Sequence, residues 1–260
     1  MIRYDDGAAY DRSMGAWSLL AGAVFLDWLA SPPGLRWVDV GCGTGAFTEL
    51  LMRRCAPAQV HGIDPSEPQL AFARSRPGAA GAVFQRGDAM ALPFPAGSFD
   101  AAAMALAIFF VPDPPRGVAE MARVVRAGGL VATYGWDFSG GGFPYAIVQA
   151  ELRELGLNPP LPPSVGAERR DSLNRLWSEA GLEYLDTTQI RVERHFPDFD
   201  DFWASTSVAA PLQAMLGALS AADLARVKRR VQAALPTDAA GRVTQTAWAN
   251  AIKGRVPADA

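Results

Sequence analysis

The sequence predicts an α/β fold: a doubly wound, mostly parallel sheet of seven strands with helical lid insertions. Two observations carry this. Through the first half of the chain, short apolar runs alternate with segments whose apolar residues recur at helical spacing. The run Val38-Asp39-Val40-Gly41-Cys42-Gly43-Thr44-Gly45 then places a glycine-rich turn between the first such strand and the next helix. Strands alternating with helices build a parallel sheet covered on both faces. Sheets of this kind bind ligands beyond the carboxyl ends of their strands, where the strand order reverses.

Each element follows from its own pattern. Met14, Trp17, Leu20, Ala21, Val24, Phe25 and Trp28 predict a helix over 14–30, stopped by Ser31-Pro32-Pro33-Gly34. A strand over 36–40 leads into the glycine turn, and a helix follows over 46–54. Strands over 60–63 and 83–86 end at Asp64 and at Gly87-Asp88, with a helix over 67–75 between them that Ser66 can cap. The continuous apolar run 100–108 reads as a central parallel strand. A helix over 114–125, a turn at Ala127-Gly128-Gly129 and a strand over 130–135 complete the regular part. Beyond it, Ser139-Gly140-Gly141-Gly142 reads as flexible, 144–156 and 171–180 as helices, and 158–164 as a proline-rich connection. The alternating run 182–196 reads as a strand, 198–235 as mostly helical, and 241–253 as the last strand.

With 260 residues, half of them hydrophobic, the chain is long enough for a large core. A net charge of −3 argues against a nucleic-acid substrate, because such enzymes carry a basic face. The run Lys228-Arg229-Arg230 sits at helical spacing and reads as a solvated helix face. Two cysteines without a CxxC pair fit a reducing cytoplasm, and two separated histidines argue against a metal site. Arg3, Asp5, Asp6, Asp11 and Arg12 break any apolar core of a leader, and no apolar run is long enough to span a bilayer. Basic charge carried almost wholly by Arg, with abundant Ala, Gly and Pro, points to a GC-rich bacterial genome.

A glycine turn opening a helix brings free N–H donors and backbone close to a ligand. Gly41-Cys42-Gly43-Thr44-Gly45-Ala46 also satisfies the dinucleotide form GxGxxA, and Asp64 stands where an acid would bind ribose hydroxyls. The fingerprint alone therefore fits both a dehydrogenase and a methyltransferase. Its neighbours separate them. Asp39, two residues before the first glycine, can hold an amino-acid head group and would repel a pyrophosphate. Asp88 is placed to accept from an adenine amino group, with Ala89 and Met90 offering a backbone N–H and an apolar wall.

On these residues the chain resembles class I S-adenosylmethionine-dependent methyltransferases, and more narrowly the group related to ubiquinone/menaquinone-biosynthesis C-methyltransferases. The resemblance runs from Tyr10 to Asp137. It rests on the glycine run, Gly62-Ile63-Asp64-Pro65-Ser66, Gly87-Asp88-Ala89, Leu92-Pro93-Phe94, Ser98-Phe99-Asp100, Phe110-Val111-Pro112-Asp113-Pro114 and Arg126-Ala127-Gly128-Gly129. It implies a Rossmann-like fold, S-adenosyl-L-methionine as methyl donor and S-adenosyl-L-homocysteine as product. It places Gly41, Cys42 and Gly43 by the methionine moiety, Asp64, Pro65, Ser66 and Gln69 by the ribose, and Asp88 and Ala89 by the adenine. Ala105 and Leu106 fall close to the transferable methyl, and Tyr10 and Trp17 over the amino-acid end.

The resemblance departs at one point. Relatives carry a histidine near the position of Phe109, in a pattern like LHFVPDP, and here the text is Leu106-Ala107-Ile108-Phe109-Phe110-Val111. No general base is evident. Phe109, Phe110, Trp136, Phe143 and Trp203 form the expected substrate wall and point to a small apolar acceptor, methylated on carbon or oxygen. The expected organisation is a core over 1–138 and 165–260, with 139–164 and 198–236 as lids hinged at Gly140-Gly141-Gly142. The alternatives are a non-catalytic S-adenosylmethionine-binding protein and an NAD-dependent oxidoreductase.

Overall fold

A computed structural model describes residues 14–258, apart from the side chains of 210 and 211. The strands are β1 (Arg36–Val40), β2 (Gln59–Asp64), β3 (Val83–Arg86), β4 (Phe99–Ala105), β5 (Val125–Trp136), β6 (Glu183–Phe196) and β7 (Val243–Arg255). They form one sheet in the order β3-β2-β1-β4-β5-β7-β6. The pairs from β3 to β5 are parallel, β7 runs antiparallel to β5, and β6 antiparallel to β7. The strand order reverses between β1 and β4, which places the switch point at the glycine turn.

The helices are α1 (Ala16–Leu29), α2 (Ala46–Cys55), α3 (Glu67–Arg74), α4 (Pro114–Val124), α5 (Ala146–Glu154), α6 (Arg170–Glu179), α7 (Phe199–Ser207), α8 (Ala210–Gly217) and α9 (Ala221–Ala234). The Asp113 side chain accepts from the Arg116 N–H at 3.2 Å and so caps α4. Opposed residues of paired strands share a face, so Asp39, Ala103, Ala105, Tyr134 and Ala251 all point to one side of the sheet. Helix α1 covers that side, with the Phe25 ring centroid 4.5 Å from that of Tyr134. On the other side α6 buries Leu173 and Trp177, and the Trp177 indole N–H donates to the Val131 carbonyl at 3.1 Å.

Three elements differ from the sequence reading. The expected strand 100–108 ends at Ala105. Leu106 takes a left-handed conformation, φ 54°, and its N–H donates to the Tyr134 carbonyl at 2.8 Å, so the chain bends out of the sheet into a short 3₁₀ turn over Ile108–Phe110. The expected turn at Ala127-Gly128-Gly129 is an irregularity inside β5, where Phe99 pairs with Val125 and Ala101 already with Leu130. The glycines after β5 form a hydrogen-bonded turn: Asp137 accepts from the Gly140 N–H on its carboxylate (2.7 Å) and from the Gly142 N–H on its carbonyl (2.7 Å).

Asp100 ties the start of β4 to its neighbours. Its carboxylate accepts from Arg36 at 3.1 Å and Arg126 at 2.6 Å, and these partners hold its pKa well below the usual range. The associated stability is present above the unfolded carboxyl's pKa and is lost as pH falls toward the lower folded value. Asp100→Asn is expected to cost about 1 kcal/mol at pH 7, the partners being half exposed. Urea unfolding should show that cost shrinking as the pH is lowered through 4 and 3.

Candidate functional site

A cavity of about 600 Å³ opens at the carboxyl ends of β1, β2 and β4. Its floor is the glycine turn. The Gly41 and Cys42 N–H groups donate to the Ile63 carbonyl at 2.7 and 3.0 Å, and the Gly43 N–H donates to the Asp64 carboxylate at 2.9 Å. Gly41, Gly43 and Gly45 all have positive φ, 75°, 51° and 76°. A Cβ on Gly41 would sit 2.6 Å from the Ala107 Cβ, so the turn after β4 closes directly on the glycine turn. Arg76 donates to the Thr44 carbonyl and pairs with Glu49 at 3.0 Å, holding the far side.

Asp39 is fully buried and lines the cavity. One carboxylate oxygen accepts from the Thr48 hydroxyl at 2.6 Å, and the other, Oδ1, has no partner among the described residues. Desolvation pushes its pKa up to about 7, the Thr48 hydrogen bond opposes this, and the Asp64 charge adds to it. Asp64 accepts from both the Gly43 and Ser66 N–H groups, each at 2.9 Å, and burial still raises its pKa. The Cys42 thiol is buried, and burial with the nearby Asp39 and Asp64 carboxylates pushes its pKa up, away from the thiolate.

Most of the sequence-predicted cofactor residues meet here. Asp39, Gly41, Cys42, Gly43, Asp64, Pro65, Ser66, Gln69, Asp88, Ala89, Ala105 and Leu106 all line the cavity. Met90 does not, and its N–H donates to the Asp88 carboxylate at 2.8 Å, closing a turn instead of facing a base. Tyr10 lies outside the described residues. Of the expected substrate wall only Phe110 reaches the cavity. Phe109 is buried in the 3₁₀ turn that follows the bend at Leu106, its ring edge-to-face with Phe138 at a centroid distance of 5.0 Å. Trp136 and Trp203 are core residues, and Phe143 packs on Phe138 and Tyr145. From the expected lid segments only Pro163 touches the cavity.

Sequence reasoning missed Ser18, Thr44, Phe47 and Tyr134, which also line it. Ser18 and Tyr134 come from α1 and β5, and only the register of Tyr134 opposite Ala105 reveals that the latter faces the cavity. Among the described residues the Ser18 and Ser66 hydroxyls are buried without partners, like Asp39 Oδ1. Buried polar atoms are normally satisfied. Three oxygens of cavity-lining residues are thus open to a polar ligand, among the described residues. The positive-φ glycines give that ligand room against the backbone. Acceptors at Asp39, Asp64 and Asp88, with hydroxyls between them, fit a ligand carrying an ammonium, a diol and an amino-purine, which S-adenosylmethionine does.

The sheet order and flanking helices are those of the Rossmann-like methyltransferase fold. Residues 38–133 match the family model of the methyltransferase domain. Over 101 residues it is 43% identical to 2-methyl-6-phytyl-1,4-hydroquinone methyltransferase 2, chloroplastic, of Oryza sativa subsp. japonica, covering 39% of this chain and 29% of that protein. It is 31% identical over 168 residues to 2-phytyl-1,4-naphtoquinone methyltransferase of Synechococcus elongatus, covering 63% of this chain and 66% of that protein. Its fold is similar to that of Haemonchus contortus phosphoethanolamine N-methyltransferase 2, with a TM-score of 0.60 at 17% identity over 96% of this chain and 56% of that one. The chain thus spans only part of the length of each of these proteins.

The buried Asp39 carboxyl sets a stability prediction. The folded chain keeps a proton there up to about pH 7, whereas the unfolded chain releases it near 3.8. Stability from this group is therefore full below pH 3.8 and declines as pH rises to 7. Asp39→Asn removes the decline. Urea unfolding at pH 8 should show the variant more stable by about 1–3 kcal/mol, and at pH 4 the two proteins should be nearly equal.

Proposed function

We propose that the protein transfers the methyl group of S-adenosyl-L-methionine to a small, largely apolar molecule, on carbon or oxygen, releasing S-adenosyl-L-homocysteine. The observation that carries this reading is the set of buried oxygens without partners among the described residues, Asp39 Oδ1 with the Ser18 and Ser66 hydroxyls, in residues that line the glycine-turn cavity. S-adenosylmethionine supplies an electrophilic sulfonium methyl when bound. Asp39 holds the amino-acid ammonium, and Asp64 the ribose hydroxyls through lone pairs that the Gly43 and Ser66 N–H groups leave open. Asp88 and Ala89 hold the adenine. Ala105, Leu106, Phe110, Val111 and Pro112 wall off water and align the nucleophile with the S–CH₃ bond.

The apolar character of that wall, with relatives named for phytyl hydroquinone and naphthoquinone substrates, supports an apolar ring acceptor. Arg230 on α9 and Glu151 on α5 join the segments 139–164 and 198–236 by an ion pair of 2.5 Å, which supports reading the two as one unit. The site is a small-molecule one with no nucleic-acid partner. Among the described residues no helix is long and apolar enough to cross a membrane, and the free cysteines and arginine-rich composition fit a bacterial cytoplasm.

Calorimetry is expected to show S-adenosylhomocysteine binding and no NAD binding; the reverse would sink this reading in favour of an oxidoreductase. Asp64→Ala should weaken the cofactor by about 1–3 kcal/mol through loss of charged hydrogen bonds. Because the ammonium needs an ionised Asp39, whose pKa stands at about 7, affinity should rise about tenfold from pH 6 to 8. Asp39→Asn should bind weakly with a flat pH profile. Release of S-adenosylhomocysteine in the presence of apolar quinols and phenols separates an enzyme from a non-catalytic binder.

A further inference from the structure

The segment between β3 and β4 carries Asp88 and Ala89 into the cavity, yet its backbone joins no strand of the sheet. It closes a turn on itself. The Met90 N–H donates to the Asp88 carboxylate at 2.8 Å, and the Ala91 N–H to the Asp88 carbonyl at 3.0 Å. Among the described residues, every hydrogen bond that leaves 88–94 ends on α4. Arg116 donates through Nε to the Met90 carbonyl at 2.8 Å. Glu120 accepts from the Leu92 N–H at 2.7 Å. Arg123 donates to the Leu92 carbonyl at 3.0 Å and to the Phe94 carbonyl at 2.8 Å.

The pattern is regular. Positions 116, 120 and 123 follow helical spacing and share one stripe of α4. Met90, Leu92 and Phe94 are alternate residues of the segment. The three side chains therefore replace a neighbouring strand, meeting backbone donors and acceptors that would otherwise go unpaired within the protein. Glu120 and Arg123 also pair with each other at 2.6 Å, and the guanidinium holds the Glu120 carboxyl below its usual range, so the clamp is charged at neutral pH. The far half of the segment is packed as well: Leu92 is buried, and the Phe94 ring lies edge-to-face with Phe99 at 4.8 Å. The near half is not. Asp88 is exposed and Ala89 and Met90 are half-buried, so their placement depends on the turn and on Arg116.

We propose that Arg116, Glu120 and Arg123 are positioning residues for the cofactor's base: they fix the segment that presents Asp88, and through it they set the preference for a 6-aminopurine. An acceptor held in place before binding costs less to order, and discriminates more sharply, than one on a free loop. None of the three lines the cavity, so they act on the ligand only through the segment they grip. The selectivity rests on the placement of adenine at Asp88 under the proposed function; the grip of α4 on the segment does not.

The test is calorimetry on the full chain with S-adenosylhomocysteine and S-inosylhomocysteine, whose base carries an oxygen in place of the 6-amino group and cannot donate to Asp88. The adenosyl ligand should bind about tenfold tighter. Arg116→Gln and Arg123→Gln should each bring that preference below about threefold by weakening the adenosyl ligand alone, whereas general loosening of the fold would weaken both ligands alike. Arg116 is exposed near the start of α4, so its replacement leaves the core intact. Arg226→Gln, which breaks an exposed ion pair with Asp223 on α9, should leave the preference unchanged. Hydrogen exchange on the cofactor-free chain reads the clamp by itself: amides of 88–94 should exchange at least about fivefold faster in both variants. Unchanged exchange, equal weakening of the two ligands, or a preference that survives in both variants would each overturn the proposal. A preference lost in Asp88→Asn but kept in the arginine variants overturns the clamp and leaves the cofactor reading standing. A wild-type chain that binds neither ligand, or binds both equally, overturns the adenine placement and the selectivity with it.

Discussion

The end of β2 organises this molecule. The Ile63 carbonyl takes two N–H groups of the glycine turn, and the Asp64 carboxylate takes a third. A tight turn of left-handed glycines has little internal support, since its residues make neither a helix nor a ladder. Here the neighbouring strand supplies that support. The cavity floor, the start of α2 and the approach of the turn after β4 all inherit their positions from these bonds. The same carboxylate caps the Ser66 N–H that opens α3, so one side chain registers two βα connections at the switch point.

A second consequence concerns charge. Asp39 is buried on the sheet face beneath α1 with one oxygen satisfied by Thr48 and one left open. A carboxylate so placed weakens the empty protein and strengthens it when a cation arrives. The fold tolerates the defect because β1 is held on both sides by parallel neighbours and α2 delivers Thr48 from one turn beyond the glycines. Under the proposed function, stability is given up at the place where recognition is gained.

Much of this was legible in the sequence, and for one reason. Local patterns specify local geometry, so the strand ends, the glycine turn and the acids at the ends of β1, β2 and β3 could be read in order. Asp39 and Asp64 reach the cavity from the last residues of β1 and β2, and Asp88 from just beyond β3, all at the same edge of the sheet. The acceptor side was not legible. Phe109, Trp136 and Trp203 are aromatic near the right edge, but whether a ring faces a cavity or a core depends on register and on the bend at Leu106, which leaves no mark in composition. Ser18 and Tyr134 carry no motif at all. They become site residues through packing of α1 on β5, a contact between distant parts of the chain.

The approach of Ala107 to Gly41 has a consequence for how such a chain can change over time. The two positions share one small volume between the strands where the order reverses. A bulkier residue at 107 would press on the glycine turn as surely as a side chain at 41 would press on Ala107. Substitution histories at the two positions are therefore coupled: each constrains what drift can offer the other. The loop after β4 can diversify to suit new acceptors only outward from that anchored alanine.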